Sequence, residues 1–107
     1  MNNKENWEYV GSCGVDSGQI LFVDPCYLHD WVNGEYDDDS DYGRCCSVTL
    51  SKEGAGGVVL NKGAEVVATQ TAYGDGFYPV FIMKDGGGRI VEAKIVFKEE
   101  GGQEDNE

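Results

Sequence analysis

The chain is 107 residues long, with 20 acidic against 8 basic side chains and a formal net charge of −12. That length supports one modest core and excludes a cofactor-bearing multi-domain enzyme; that charge excludes a protein that grips nucleic-acid phosphates over a broad face. The excess is local: five acids lie between Glu35 and Asp41 and five between Glu99 and Glu107, leaving ten acids against eight bases elsewhere.

The amino-terminal Met1 to Asn6 is polar and no apolar run reaches the length of a signal segment or a membrane span, so a cytoplasmic protein with no membrane partner is expected. Trp7 to Gly11 leads into the turn-forming Val15-Asp16-Ser17-Gly18 and then the apolar run Gln19 to Val23, which reads as a buried strand. Asp24-Pro25 ends that strand, because proline lacks a ladder donor and biases the residue before it away from helix. Tyr27 to Tyr42 reads as a loop or short irregular segment anchored by Trp31 and Val32, with Asp37 to Asp41 as its exposed crest.

Cys45 to Leu50 alternates and predicts a second strand; Gly54 to Gly57 predicts a turn, Val58 to Leu60 a short strand, and Asn61-Lys62-Gly63 another turn. Glu65 to Thr71, rich in Val and Thr, predicts a further strand. The clearest hairpin joins Phe77–Met83 to Arg89–Lys98 through Asp85-Gly86-Gly87-Gly88. Val91, Ala93, Ile95 and Phe97 share one parity and should make a half-buried face, and Pro79 should put its strand at an edge or a bulge. No window carries a helical period. The expected fold is therefore mostly β, a small antiparallel sandwich or curled sheet of about six short strands with little helix. Residues 1–98 make a single β domain and residues 99–107 a disordered acidic tail.

Several residue sets could carry chemistry. Asp37, Asp39 and Asp41 have the alternate spacing of a calcium loop, but Tyr42 and Val48 stand where its glycine and bidentate glutamate belong. Asp16, Asp24 and Asp75 sit in turns, where such side chains bond their own backbone amides. Cys26, His29, Cys45 and Cys46 could form a thiol or zinc module only if the fold gathers them, since no C-x-x-C pair is present; no cofactor is expected. The glycine turns lack the Lys-Ser/Thr of a phosphate loop, yet Gly74-Asp75-Gly76 could cradle a small anion with Arg44 and Arg89 as side-chain partners. The aromatic set, including Trp7, Tyr9, Tyr27, Trp31, Tyr36, Tyr42, Tyr73, Phe77, Tyr78 and Phe81, suits an interaction surface or a core built from bulky rings.

Gly14-Val15-Asp16-Ser17-Gly18-Gln19, Asp24-Pro25-Cys26-Tyr27, Tyr42 to Thr49 and Gly74-Asp75-Gly76-Phe77-Tyr78-Pro79-Val80, followed by Gly88-Arg89-Ile90, resemble a group of small uncharacterised proteins of bacteria and phages. More distantly they resemble the domain-of-unknown-function family 4241, over roughly Gly11 to Lys98. The phage likeness implies a non-catalytic counter-defence inhibitor. On that reading the acidic loop, through Glu35, Tyr36, Asp37, Asp38, Asp39, Asp41 and Tyr42, contacts a basic host protein such as a nuclease effector, with no direct nucleic-acid binding. The alternatives are a sponge for a small nucleotide signal, using Tyr73, Asp75, Phe77, Tyr78, Arg44 and Arg89, and the thiol or zinc module. A homodimer is expected on the general prevalence of such assemblies.

Overall fold

The structure, a computed structural model, describes residues 6–31 and 39–98. Six strands and two helical segments follow in order: β1 (Glu8–Val15), β2 (Gln19–Phe22), a 3-10 helix (Pro25–Asp30), α1 (Asp41–Thr49), β3 (Ala55–Val59), β4 (Glu65–Gln70), β5 (Gly76–Lys84) and β6 (Ile90–Ile95). The strands form two antiparallel three-stranded sheets, β1-β5-β6 and β2-β4-β3. The chain divides into two compact units, Ser17–Gly74 and the combination of Met1–Asp16 with Asp75–Glu107. Both passages between them fall inside the sequence motifs that begin at Gly14 and at Gly74.

The mostly β expectation holds, and the strand count agrees through an exchange. Cys45–Leu50 is not a strand: Cys45 to Thr49 completes α1. The sixth strand is instead β1, whose glycines hide it from a propensity reading and whose residues find their partners on β5. Ala55 to Gly57, expected as a turn, pair with β4 as part of β3.

In the Ser17–Gly74 unit, α1 packs on β3 and β4. Cys45 from the helix meets Val58, Leu60, Ala64, Val66 and Ala68 in a buried core, with Leu21, Val23, Trp31 and Val48 packed around it. Alternate residues of β4 face inward, as burial of Val66 and Ala68 with exposure of Glu65 and Val67 requires. Polar bonds lock the layers together. Thr49 Oγ1 donates to Gln19 Oε1 at 3.1 Å and Gln70 Nε2 donates to the Thr49 carbonyl at 2.7 Å.

In the other unit, β1 shifts register between Tyr9 and Gly11, opposite Phe81 and Val80, so a bulge lies beside Pro79; β5 is the central strand, so Pro79 is not at an edge. The sheet tolerates it because Pro79 sits where the β6 ladder runs out. The Pro79 carbonyl accepts from Val96 N at 3.1 Å, just past the last β6 residue, and the reciprocal bond that proline cannot donate is the first one missing. The register of β6 also shifts between the positions opposite Met83 and Lys84, which breaks the parity of the arm. Val91, left over at that shift, is exposed; Ala93 is exposed as well, although it keeps the parity of Ile95, and only Ile95 and Phe97 of the expected half-buried set are partly covered. Phe97 packs edge-on against the buried Tyr78, with ring centroids 5.3 Å apart.

Both hairpins close in the same way. Gly63 N donates to the Leu60 carbonyl and Leu60 N to the Ala64 carbonyl, while Gly88 N donates to the Asp85 carbonyl and Asp85 N to the Arg89 carbonyl. Each is a tight turn followed by a left-handed residue; Gly63 takes φ 94°, a value that side-chain-bearing residues rarely adopt.

Candidate functional site

The acidic stretch leads directly into α1. Ser40 caps the helix, its Oγ accepting from Gly43 N at 2.9 Å, and Asp41 opens the first turn, where a carboxylate suits the positive end of the helix dipole. Asp41 is not part of an exposed crest. Its side chain is 1% exposed, and its Oδ1 accepts from Asn61 N at 2.7 Å and from Asn61 Nδ2 at 2.9 Å. The same Asn61 Nδ2 donates to the Asp39 carbonyl at 2.8 Å. The tip of the β3–β4 hairpin therefore clasps the carboxyl end of the acidic run, with Asp39 itself exposed. Tyr42 is half-buried. Glu35, Tyr36, Asp37 and Asp38, with Val32 and the tail at 99–107, lie outside the described residues.

Asn61 is the residue that the sequence reading missed. Asn61-Lys62-Gly63 signals a turn, but a turn signal says nothing about which distant segment its first side chain will hold.

The cysteine set does not behave as a reactive centre. Cys13 and Cys26 are exposed, whereas Cys45 and Cys46 are buried on α1. Burial pushes the Cys45 thiol up to about 11, with smaller contributions from Cys46 and Asp41, so at neutral pH it is a protonated core residue rather than a thiolate ligand or nucleophile. Cys46 Sγ accepts a bond from Gln19 Nε2 at 3.5 Å. Cys26 and His29 are exposed on the 3-10 helix, which Asp24 caps by accepting from Cys26 N at 3.1 Å. Among the described residues no group of three or more His, Cys, Asp or Glu side chains could hold a metal ion.

The anion set is divided between the two units. Arg44 and Tyr73 belong to the Ser17–Gly74 unit, and Asp75, Phe77, Tyr78 and Arg89 to the other. Within the latter, Phe77 and Arg89 stand at opposite ends of the β5–β6 hairpin, roughly 24 Å apart at strand rise. Arg89 Nε is bonded to Asp85 Oδ2 at 3.0 Å, Arg44 Nη1 donates to the Val59 carbonyl at 3.5 Å, and Tyr78 is buried. Tyr73 and Phe77 are 67% and 82% exposed, so neither ring is part of a closed pocket wall.

What the β1-β5-β6 sheet does assemble is a row of rings. Residues opposite one another in register share a face, so Phe77 with Gly14, Pro79 with Ser12 and Phe81 with Tyr9 lie on the same side. Tyr9 and Phe81 meet edge-on at 5.9 Å, and Lys94 Nζ, from the strand on the other flank, lies 4.1 Å from the centre of the Trp7 ring and 5.9 Å from that of Phe81.

A family model described as a protein of unknown function, DUF4241, matches residues 4–95. The chain belongs to the DUF4241 family. No curated protein and no solved structure matches it. The matched span of this DUF4241 protein takes in all six strands, the α1 clasp and the ring-bearing sheet face. Among the described residues no helix is long and apolar enough to cross a membrane.

Proposed function

We propose that this DUF4241 protein is a non-catalytic binding protein that presents an acidic loop to a basic, nucleic-acid-handling partner. On the likeness of its motifs to small bacterial and phage proteins, it acts as a counter-defence inhibitor. The observation that supports this reading best is the Asn61 clasp. It ties the carboxyl end of the acidic run to the β3–β4 hairpin and leaves Asp39 facing solvent, so the charge is carried next to a fixed structural base. A negative field of this kind accelerates encounter with a basic protein and occupies surface where nucleic-acid phosphates would otherwise sit.

The clasp also decides how the reading is tested. Asp41 must be left intact, because its carboxylate holds the fold; the loop is discharged by D37S/D38S/D39S. Capture from a host lysate with the wild-type chain should retain a basic protein, and the retention should weaken as salt is raised. The triple variant should lose most of it. Equal capture by both forms, with the same salt dependence, overturns the reading.

A further inference from the structure

The ring-bearing face of β1-β5-β6 has features that a core does not need. Phe77 is 82% exposed, and a Cβ on the facing Gly14 would lie 3.2 Å from Phe77 Cε1 and 3.6 Å from Cδ1. The absence of that carbon lets the ring settle over bare backbone while its outer face stays in water. Further along the same face, Tyr9 is 59% exposed and Trp7 and Phe81 are half-buried. The chain's own Lys94 ammonium is drawn over Trp7 and Phe81, which shows that these rings accept a cation.

We propose that this face is the docking surface for an arginine-bearing segment of the basic partner, with guanidinium groups stacking on Phe77 and, in place of Lys94, on Trp7. The inference rests on the acidic-protein reading above and names the second contact that such a partner would make. Arginine fits better than lysine because its guanidinium is planar and weakly hydrated, so it can lie flat on a ring at little desolvation cost. A basic polypeptide fits better than a nucleic-acid strand, although both stack on aromatic rings. The net charge of −12 attracts the first and repels the second, and Lys94 is flanked on β6 by Glu92, which shares its face.

The test uses the full chain and fluorescence anisotropy of three labelled probes: a peptide of repeated Arg-Gly-Gly, its Lys-Gly-Gly counterpart, and oligothymidine. The arginine peptide should bind more tightly than the lysine peptide, and oligothymidine least. F77A and W7A should each weaken arginine-peptide binding by roughly threefold to tenfold. K94Q should strengthen it, and by more than K52Q, which removes the same charge from the Ser17–Gly74 unit. Phe77 is so exposed that F77A should keep the wild-type melting temperature, and it decides the matter if W7A does not. Unchanged binding by F77A, combined with loss of binding by D37S/D38S/D39S, overturns the docking face and leaves the acidic-loop reading standing. Unchanged binding by both overturns the two together. Weaker peptide binding by K94Q, or preferential binding of oligothymidine, overturns the inference in favour of an anionic, stacking ligand.

Discussion

The two units use their apolar residues to opposite ends. In Ser17–Gly74 a short helix lies on a three-stranded sheet, and small aliphatic side chains, Val58, Leu60, Ala64, Val66 and Ala68, close a core around Cys45. In the other unit three strands and the residues flanking them carry Trp7, Tyr9, Phe77, Tyr78, Phe81 and Phe97, yet Val15 and Tyr78 are the buried apolar residues among those described. The difference shows that aromatic content does not measure core. The unit with the smaller side chains holds its frame by burial and polar clasps, and the unit with the larger ones displays them.

That contrast breaks most readily at Asp41. D41A leaves two Asn61 donors without their acceptor beneath the acidic run, and should cost about 2–4 kcal/mol, read by urea denaturation. D41N keeps one carboxamide oxygen for Asn61 and should cost distinctly less. Equal losses would mean that charge, rather than the hydrogen bonds, is what the site needs. V66A comes next: it removes two buried methyl groups from the core and should cost about 2 kcal/mol. F77A removes a far larger side chain from the exposed sheet and should cost less than about 0.5 kcal/mol. Should F77A cost as much as V66A, the two units are built alike and the comparison fails.

The same pair of units explains what could be read in the sequence. The β5–β6 hairpin was legible because Asp85 and three glycines punctuate two β-rich runs, and β2 and β4 because their apolar residues are continuous or branched. The α1 helix was not. Of its five buried residues, Asp41, Cys45, Cys46 and Thr49 follow helical spacing and Gly43 does not, and the residue opening that series is an aspartate, which reads as the end of an exposed acidic run. Gly43, Val48 and Thr49 further weaken the local signal, so the helix depends on its cap and its packing. Ser40 and Asp41 are ordinary residues for a helix start, but their place at the end of an acidic run masks that signal. β1 was illegible for a different reason: Glu8-Tyr9-Val10-Gly11-Ser12-Cys13-Gly14-Val15 becomes a strand because β5 is beside it, and Gly14 faces a ring sixty-three positions away.

Thiol chemistry sharpens the contrast further. At pH 8 the exposed Cys13 and Cys26 should react quickly with a disulfide reagent, while Cys45 and Cys46 react only as the Ser17–Gly74 unit opens. Because the Cys45 thiol is raised to about 11 in the folded protein, its contribution to stability is present below the ordinary thiol range. That contribution is lost as pH rises through about 11. Four fast thiols in the native chain would show that the helix is not seated. A smaller effect acts on the other unit. Asp85 is held below its ordinary carboxylate range by bonds from Arg89 N, from the Arg89 guanidinium and from Gly87 N. Its contribution to the hairpin is therefore complete above the ordinary range and fades as pH falls through the lowered value. The protection factors of the Gly87 and Arg89 amides, taken against their intrinsic exchange rates at each pH, should fall there, with the amides of β4 still protected.

The smallest effect is expected from G14A, and it probes what the ring-bearing face is for. A strand alanine loses less chain entropy on folding than glycine does, a gain of roughly 0.5–1 kcal/mol where the backbone is compatible, as it is at a position with no left-handed φ. Against that gain stands the crowding of the new Cβ at 3.2 Å from Phe77 Cε1. An exposed ring can swing away at little cost, so the two terms should nearly cancel and the melting temperature should hardly move. What should change is the ring's resting place over β1, and with it the affinity for an arginine peptide, by less than F77A produces. A clear loss of stability in G14A would mean that Phe77 is held as firmly as a core side chain. The glycine would then be a packing residue, and the display of rings in this unit a consequence of its fold instead of a binding feature.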